Sequence, residues 1–262
     1  MKVSLRWKML LLVFAVILVP IFVLGLNEYR ETRSLITDMM RATARDVLSS
    51  GVEYADDFLE TLEEAVAMLS QNSDVLSVFD DPEAPARIVK LLENYVTTHA
   101  DVENAFFGTR DKVLHVYPPT PGGLPADYDP AARPWYQQAV AANGLIWTEP
   151  YIDTGSRKLV VTAAMPVRRP GDTAPLGVVG VDVTLEHLAA LISSRKVAES
   201  GFLVLMNKEG IVLAHPDPDA IGKPMPDATI LERVLSTSSG EVDYLGREHM
   251  FVVYTTLERT GW

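Results

Sequence analysis

The sequence predicts an α+β chain: an N-terminal transmembrane helix, a long stalk helix continuing from it, and two modules of antiparallel sheet flanked by helices. Three observations predict this. An uncharged apolar run over residues 9–26 leads directly into a proline-free stretch with helical spacing. Beyond residue 75, helical and strand patterns alternate, and the strands are joined by short hairpin turns, which favours α+β over βαβ. Near residue 201 the pattern begins again.

The first element, residues 9–26, approaches the ~20 apolar residues that a membrane-spanning helix needs. Trp7 stands where an interfacial aromatic belongs, and Pro20 is tolerable inside a bilayer helix. A cleaved signal peptide would have a shorter apolar region and a small-x-small cleavage site, and Leu24-Gly25-Leu26-Asn27-Glu28 offers a poor one. Lys2, Arg6 and Lys8 precede the run, so residues 1–8 are expected in the cytoplasm and residues 27–262 across the membrane. A long signalling helix is expected over residues 27–74. Ile36, Met40, Ala44 and Val47, then Ala55, Leu59, Leu62, Val66 and Leu69, recur in steps of three and four, with a break at Gly51. Such a helix reads as a rod of about 60 Å, and a lone signalling rod usually works beside a symmetric partner.

The next module, residues 75–195, is expected to be membrane-distal. A helix over 82–97 precedes a hairpin of strands 102–108 and 113–117. A loop rich in Pro, Gly and Asp follows over 118–130, and then a short helix over 133–142. Strands 158–167 and 176–183 form a second hairpin, and 185–193 a closing helix. The membrane-proximal module, 196–262, repeats the opening with strands 201–206 and 211–215 around the turn Asn207-Lys208-Glu209-Gly210. A helix over 229–236 and strands 240–244 and 249–257 complete it, and it reads as incomplete, one strand short.

Composition removes several classes of function. Of 23 basic and 35 acidic residues, residues 27–262 hold 20 and 35; a domain so acidic repels nucleic acid. The absence of cysteine removes disulfides, thiolate metal sites and cysteine nucleophiles. The five histidines show no i, i+4 pair, and no glycine-rich phosphate loop or G-x-S-x-G elbow occurs. Neither a metal nor a cofactor is indicated.

The densest aromatic and charged cluster runs from Tyr128 through Arg133, Trp135 and Tyr136, and continues in Trp147-Thr148-Glu149-Pro150-Tyr151-Ile152-Asp153. Arginine can hold a carboxylate in a bidentate fork, and tyrosine hydroxyls can donate to it. Asp153 and Asp182 could accept from an ammonium, with an aromatic face adding cation–π attraction. Asp182 ends the apolar run 176–181, where an acid is either paired or at the mouth of a pocket. A structural reading stands beside this one: Arg133 pairing Asp129 or Asp153, with Trp135 and Tyr136 in the core. A hydrolase pair of Asp153 and Asp182 is discounted because the nearby arginine is expected to hold both acids ionised. No enzyme is predicted.

The segments ARPWYQQA, WTEPYID, LVVTAAMPV and LGVVGVDVTLEHLAALI resemble the double-Cache (dCache) sensor domains of bacterial chemoreceptors, the methyl-accepting chemotaxis proteins. The likeness extends over the whole chain after the apolar run. It is specific to the amino-acid-binding subgroup, whose motif is matched by Tyr128, Arg133, Trp135, Tyr136, Tyr151, Asp153 and Asp182. The resemblance implies that Tyr128, Arg133 and Trp135 hold the α-carboxylate, and Tyr136, Asp153 and Asp182 the α-ammonium. It further implies a receptor in the bacterial inner membrane with residues 27–262 periplasmic, working as a homodimer for chemotaxis. A cytoplasmic signalling module is expected downstream. The same sensors also serve histidine kinases and cyclic-dinucleotide enzymes, and a membrane-anchored solute-binding protein is a further alternative. Walls for the ligand side chain are expected from Phe106, Phe107, Tyr117 and residues 144–146.

Overall fold

The structure, a computed structural model, describes residues 5–193, 201–245 and 249–262. Residues 1–4 of the expected cytoplasmic tail and the expected module boundary at 195–196 lie outside them. The chain divides into two units, Met1–Asp46 and Val47–Trp262.

Helix α1 (Leu5–Ser70) joins the expected anchor and stalk in one element, with Pro20 inside it. It contains a stretch long and apolar enough to cross a membrane. In the first unit its apolar side chains are bare: Phe14 and Phe22 are 60% and 68% exposed. Farther along, Leu35, Ile36, Met39 and Met40 form an exposed patch at i, i+4 spacing, wider than the single-file stripe read from sequence. The expected break at Gly51 is not found. In the second unit that glycine makes room for a neighbour, since a Cβ there would lie 2.8 Å from Leu203 Cδ1.

The second unit is built on one antiparallel sheet. Its strands are β1 (Asn104–Thr109), β2 (Leu114–Tyr117), β3 (Ile146–Trp147), β4 (Tyr151–Ile152), β5 (Leu159–Val167) and β6 (Gly177–Thr184). They run in the order β2-β1-β6-β5-β3, with β4 also on β5. Both expected hairpins form. The two-residue strands β3 and β4 are additions, too short to give a periodic signal. Helices α3 (Ala84–Thr98), α4 (Pro134–Ala142) and α5 (Leu185–Ser193) stand where expected, and the short α2 (Ser73–Leu76) is an addition.

Strand alternation divides this sheet into two faces. Ala105, Phe107, Val161, Ala163, Val179 and Val181 point to one face and join a core with Leu59, Leu62, Val66 and Leu69 of α1 and Ile88 and Leu92 of α3. Phe106, Ala164 and Val178 point to the other and pack on Trp135, Tyr136 and Ala139 of α4. One sheet thus serves a helical core and a separate aromatic layer.

The remaining strands are β7 (Leu205–Met206), β8 (Val212–Ala214), β9 (Ser239–Leu245) and β10 (His249–Thr255), with helix α6 (Ala228–Ser236) between the pairs. Among the described residues they form two separate two-stranded ladders rather than one sheet. The repeat with the first module holds at the level of turn chemistry. Lys112 and Gly210 both take positive φ, 68° and 79°, and each donates its N–H to the residue three before it, Thr109 and Asn207. In both modules an Asp-Pro pair then opens a 3₁₀ turn, capped by Asp129 and Asp217.

One carboxylate ties three parts of this unit together. Glu63 on α1 accepts from the Trp147 indole at 2.8 Å and from Arg259 at 2.7 Å, and the Trp147 and Trp262 rings meet edge to face at 5.6 Å. Glu63→Ala leaves both donors without this partner, so it should lower the unfolding free energy by about 1–3 kcal/mol. Exposed Glu64→Ala should stay within ~0.5 kcal/mol. Urea titration of the two variants checks this: equal midpoints would remove the Glu63 link from the stability of the fold.

Candidate functional site

The aromatic face of the sheet carries an acid at its centre. Asp182 on β6 pairs in register with Asn104 of β1 on one side and Thr162 of β5 on the other. It is 1% exposed. Thr162 donates its hydroxyl to Asp182 Oδ1 at 2.5 Å, and the Tyr151 hydroxyl lies 2.8 Å from Thr162 Oγ1 and 3.4 Å from Asp182 Oδ1. Burial outweighs these donors and pushes the Asp182 carboxyl up to about 7, and the neighbouring Asp153 adds to the rise. This corrects the expectation that Arg133 holds both acids ionised. Burial in the sheet is the first cause of the shift at Asp182, and no cation figures among its causes in the described residues.

Next to this buried group, and sharing Asn104 with it, lies a cleft of about 250 Å³ whose lining does not include Asp182 itself, just below the ~300–1,000 Å³ typical of drug-sized ligands. Its walls include Asn104, Phe106, Tyr128, Trp135 and Asp153. Close packing in the aromatic layer depends on two glycines. A Cβ on Gly108 would lie 2.6 Å from Trp135 Cη2, and one on Gly180 would lie 2.5 Å from Phe106 Cζ. With those positions bare, the Phe106 and Trp135 rings tilt together at 4.6 Å.

Arg133 links the 3₁₀ turn Pro130–Ala132 to α4, and its side chain makes no capping hydrogen bond. Its guanidinium lies 5.9 Å from the Tyr128 ring centre. Among the described residues it joins no ion pair, because both suggested partners are otherwise engaged. Asp129 caps Ala131 N–H and pairs with Lys112 at 2.7 Å, while Asp153 accepts from Ser156 N–H at 2.6 Å. The Tyr128 hydroxyl is pushed up to about 12, first by burial, and it senses Arg133, Asp153 and Asp182 together. Tyr151 is driven upward too, by burial and then by Asp182.

The structure therefore gathers Tyr128, Arg133, Trp135, Tyr151, Asp153 and Asp182. Tyr136 is set apart. It is buried in the aromatic layer, and its charged surroundings are Asp129, Arg110 and Asp111. Of the expected side-chain walls Phe106 lines the cleft. Phe107, one residue on, points into the helical core, and Tyr117 and Ile146 pack in the layers beside it. Sequence reasoning passed over Asn104 and Thr162. Each is a polar residue within an apolar strand, and that is the signal that marks them. Asn104 is 7% exposed, and its Oδ1 has no hydrogen-bond partner.

Residues 28–262 match the family model described as a Cache domain, and the chain belongs to that family. It is 31% identical over 257 residues, 96% of its length, to the methyl-accepting chemotaxis protein PscA of Pseudomonas syringae pv. tomato. It is 27% identical over 263 residues to McpB, a methyl-accepting chemotaxis protein of Bacillus subtilis. The chain spans 38% of the length of each. Among solved structures, the ligand-binding domain of the Pseudomonas aeruginosa amino acid chemoreceptor PctB, in complex with L-Arg, superposes with a TM-score of 0.66. The identity is 25%, covering 83% of this chain and 88% of that one. The fold also matches the ligand-binding domain of Pseudomonas fluorescens CtaA in complex with L-isoleucine, with a TM-score of 0.69 at 23% identity over 87% and 90% of the two chains.

The raised carboxyl of Asp182 sets a pH dependence with a definite sign. The folded chain holds this proton up to about pH 7 and the unfolded chain releases it near pH 4. The proton's contribution to stability is therefore full below pH 4 and lost as pH rises to 7. Asp182→Asn should cancel that loss, so the variant should gain stability relative to the parent between pH 4 and 8. A constant difference across this range, measured by thermal unfolding, would contradict the burial of an acid at this position.

Proposed function

We propose that this chain is the sensing portion of a bacterial chemoreceptor and that its membrane-distal module binds an α-amino acid. One observation carries the reading: a small cleft is lined by Tyr128, Trp135 and Asp153, and just behind that lining lie Arg133, which has no carboxylate partner among the described residues, and the buried carboxylate of Asp182. A zwitterion with adjacent carboxylate and ammonium groups completes both ends at once. Arg133 and Tyr128 take the carboxylate, with the Trp135 ring as a wall. Asp182 and Asp153 take the ammonium, whose arrival favours the ionised form of Asp182 and relieves the repulsion between the acids. The amino-acid complexes of PctB and CtaA, which share the fold, support the class of ligand. Tyr136 supports the site by packing under Trp135.

In this reading residues 9–26 anchor the chain in the inner membrane, 27–74 carry the signal, 75–195 bind the ligand and 196–262 stand nearer the membrane. A signalling module lies in the remainder of the receptor, as the length of the chemotaxis relatives suggests. The exposed patch of Leu35, Ile36, Met39 and Met40 supports pairing with a second copy.

Two measurements test this. Thermal unfolding of the full chain in detergent should shift upward with some L-amino acids, by about 2.7 kcal/mol at a hundredfold excess over Kd. N-acetylated and decarboxylated analogues should fail. Arg133→Ala should weaken binding by about 2–5 kcal/mol and keep its fold; no shift with any amino acid sinks the reading. Because the chain has no cysteine, single cysteines at Ile36, Met40 and Val47 report on pairing without background. They should crosslink in membranes at rates that change with ligand, and absence of crosslinking at all three excludes a dimeric rod.

A further inference from the structure

Once the ends of an amino acid are assigned to Arg133 and Asp182, the rest of the cleft must house its side chain. That part is built from the β1–β2 hairpin and the loop after it. In register, Phe106 pairs with Val116 and Gly108 with Leu114, so Val116 and Leu114 share the cleft face with Phe106. His115 and Tyr117 alternate to the other side. Leu124 closes the wall from the loop, and Pro118, Pro119 and Pro121 form its rim. Proline has no N–H, so these three positions offer no backbone donor, and the hydroxyls of Thr120 and Ser156 are the polar side chains beside them on the lining. One carboxylate other than Asp153 lines the cleft, that of Glu103, and it is engaged by Lys158 at 2.8 Å. A basic side chain would have to displace that lysine, and an acidic one would meet Glu103.

Resting on the amino-acid reading above, we propose that this receptor selects amino acids with an aliphatic side chain of leucine, isoleucine or methionine size, and that Leu114, Val116 and Leu124 set that choice. A polar side chain laid on Leu114, Val116 and Leu124 would lose its water without gaining a partner from them. A glycine ligand would leave the wall uncovered, and each methylene it lacks is worth roughly fourfold in affinity.

The test is a titration of the full chain in detergent with L-leucine, L-isoleucine, L-methionine, L-glutamine, L-arginine, L-aspartate and glycine. The three aliphatic ligands should bind at least about tenfold more tightly than the rest. Leu114→Ala should weaken L-leucine about tenfold and leave glycine unchanged, with glycine binding showing that the variant is folded. Leu124→Ala, on a different element, should act in the same direction. Tightest binding of arginine, aspartate or glutamine overturns the selectivity and leaves the amino-acid reading standing. Leucine affinity unchanged in both variants overturns the assignment of the wall. Binding of none of the seven overturns the aliphatic selectivity, and the amino-acid reading then falls only if the full panel of amino acids also gives no thermal shift.

Discussion

A carboxylate in the middle of a buried strand is the constraint around which this molecule is arranged. Asp182 is buried, so its oxygens need donors or a proton, and each neighbouring strand supplies a polar residue at the paired position. The acid remains under-served, as its raised carboxyl shows. Nearby, the Asn104 oxygen is left with no donor. Two acceptor-rich groups, one lining the small cleft and one buried behind it, are what the proposed ammonium would meet. An ammonium, with three N–H donors, suits them better than a water does.

The sheet can hold this defect because its other face carries the stability. The core that α1, α3 and the sheet share is built mainly of aliphatic side chains, whereas the aromatic layer is thin and interrupted by glycines. The same sheet passes contacts onward. Thr162 gives its hydroxyl proton to Asp182 and accepts from the Tyr151 hydroxyl, while its N–H donates to Thr148 at 3.0 Å. The adjoining residues engage other elements: Trp147 binds Glu63 of α1, and Glu149 accepts from Asn207 of the second module. A short segment, 147–151, therefore touches the buried group around Asp182, the long helix and the second module within five residues.

Much of this was legible in the sequence because strong periodicity survives folding. The hairpins over 102–117 and 158–183, helix α5 and the helical spacing of α1 all follow apolar steps that tertiary contacts reinforce. What failed has local causes. Gly51 reads as a breaker in isolation and is in fact a contact point for Leu203. Strands β3 and β4 hold two residues each and exist because β5 offers them an edge. In the site, residue types and spacing identified a charged aromatic cluster, but not its directions. Tyr136 and Phe107 carry suitable chemistry on the wrong side of a helix and a strand, while Asn104 and Thr162 gained importance only through cross-strand register.

The cleft draws its grip and its lining from different stretches of chain. The buried acid and its hydrogen-bonded neighbours lie at the centre of the sheet, where any replacement disturbs three strands at once. The lining comes from a half-buried edge hairpin and an exposed loop, where substitutions disturb little beyond themselves. Mutation can therefore drift through 114–124 at small cost to folding while the centre stays fixed. Such an architecture can change what its cleft admits by altering its margin, while the buried polar centre beside the cleft stays as it is.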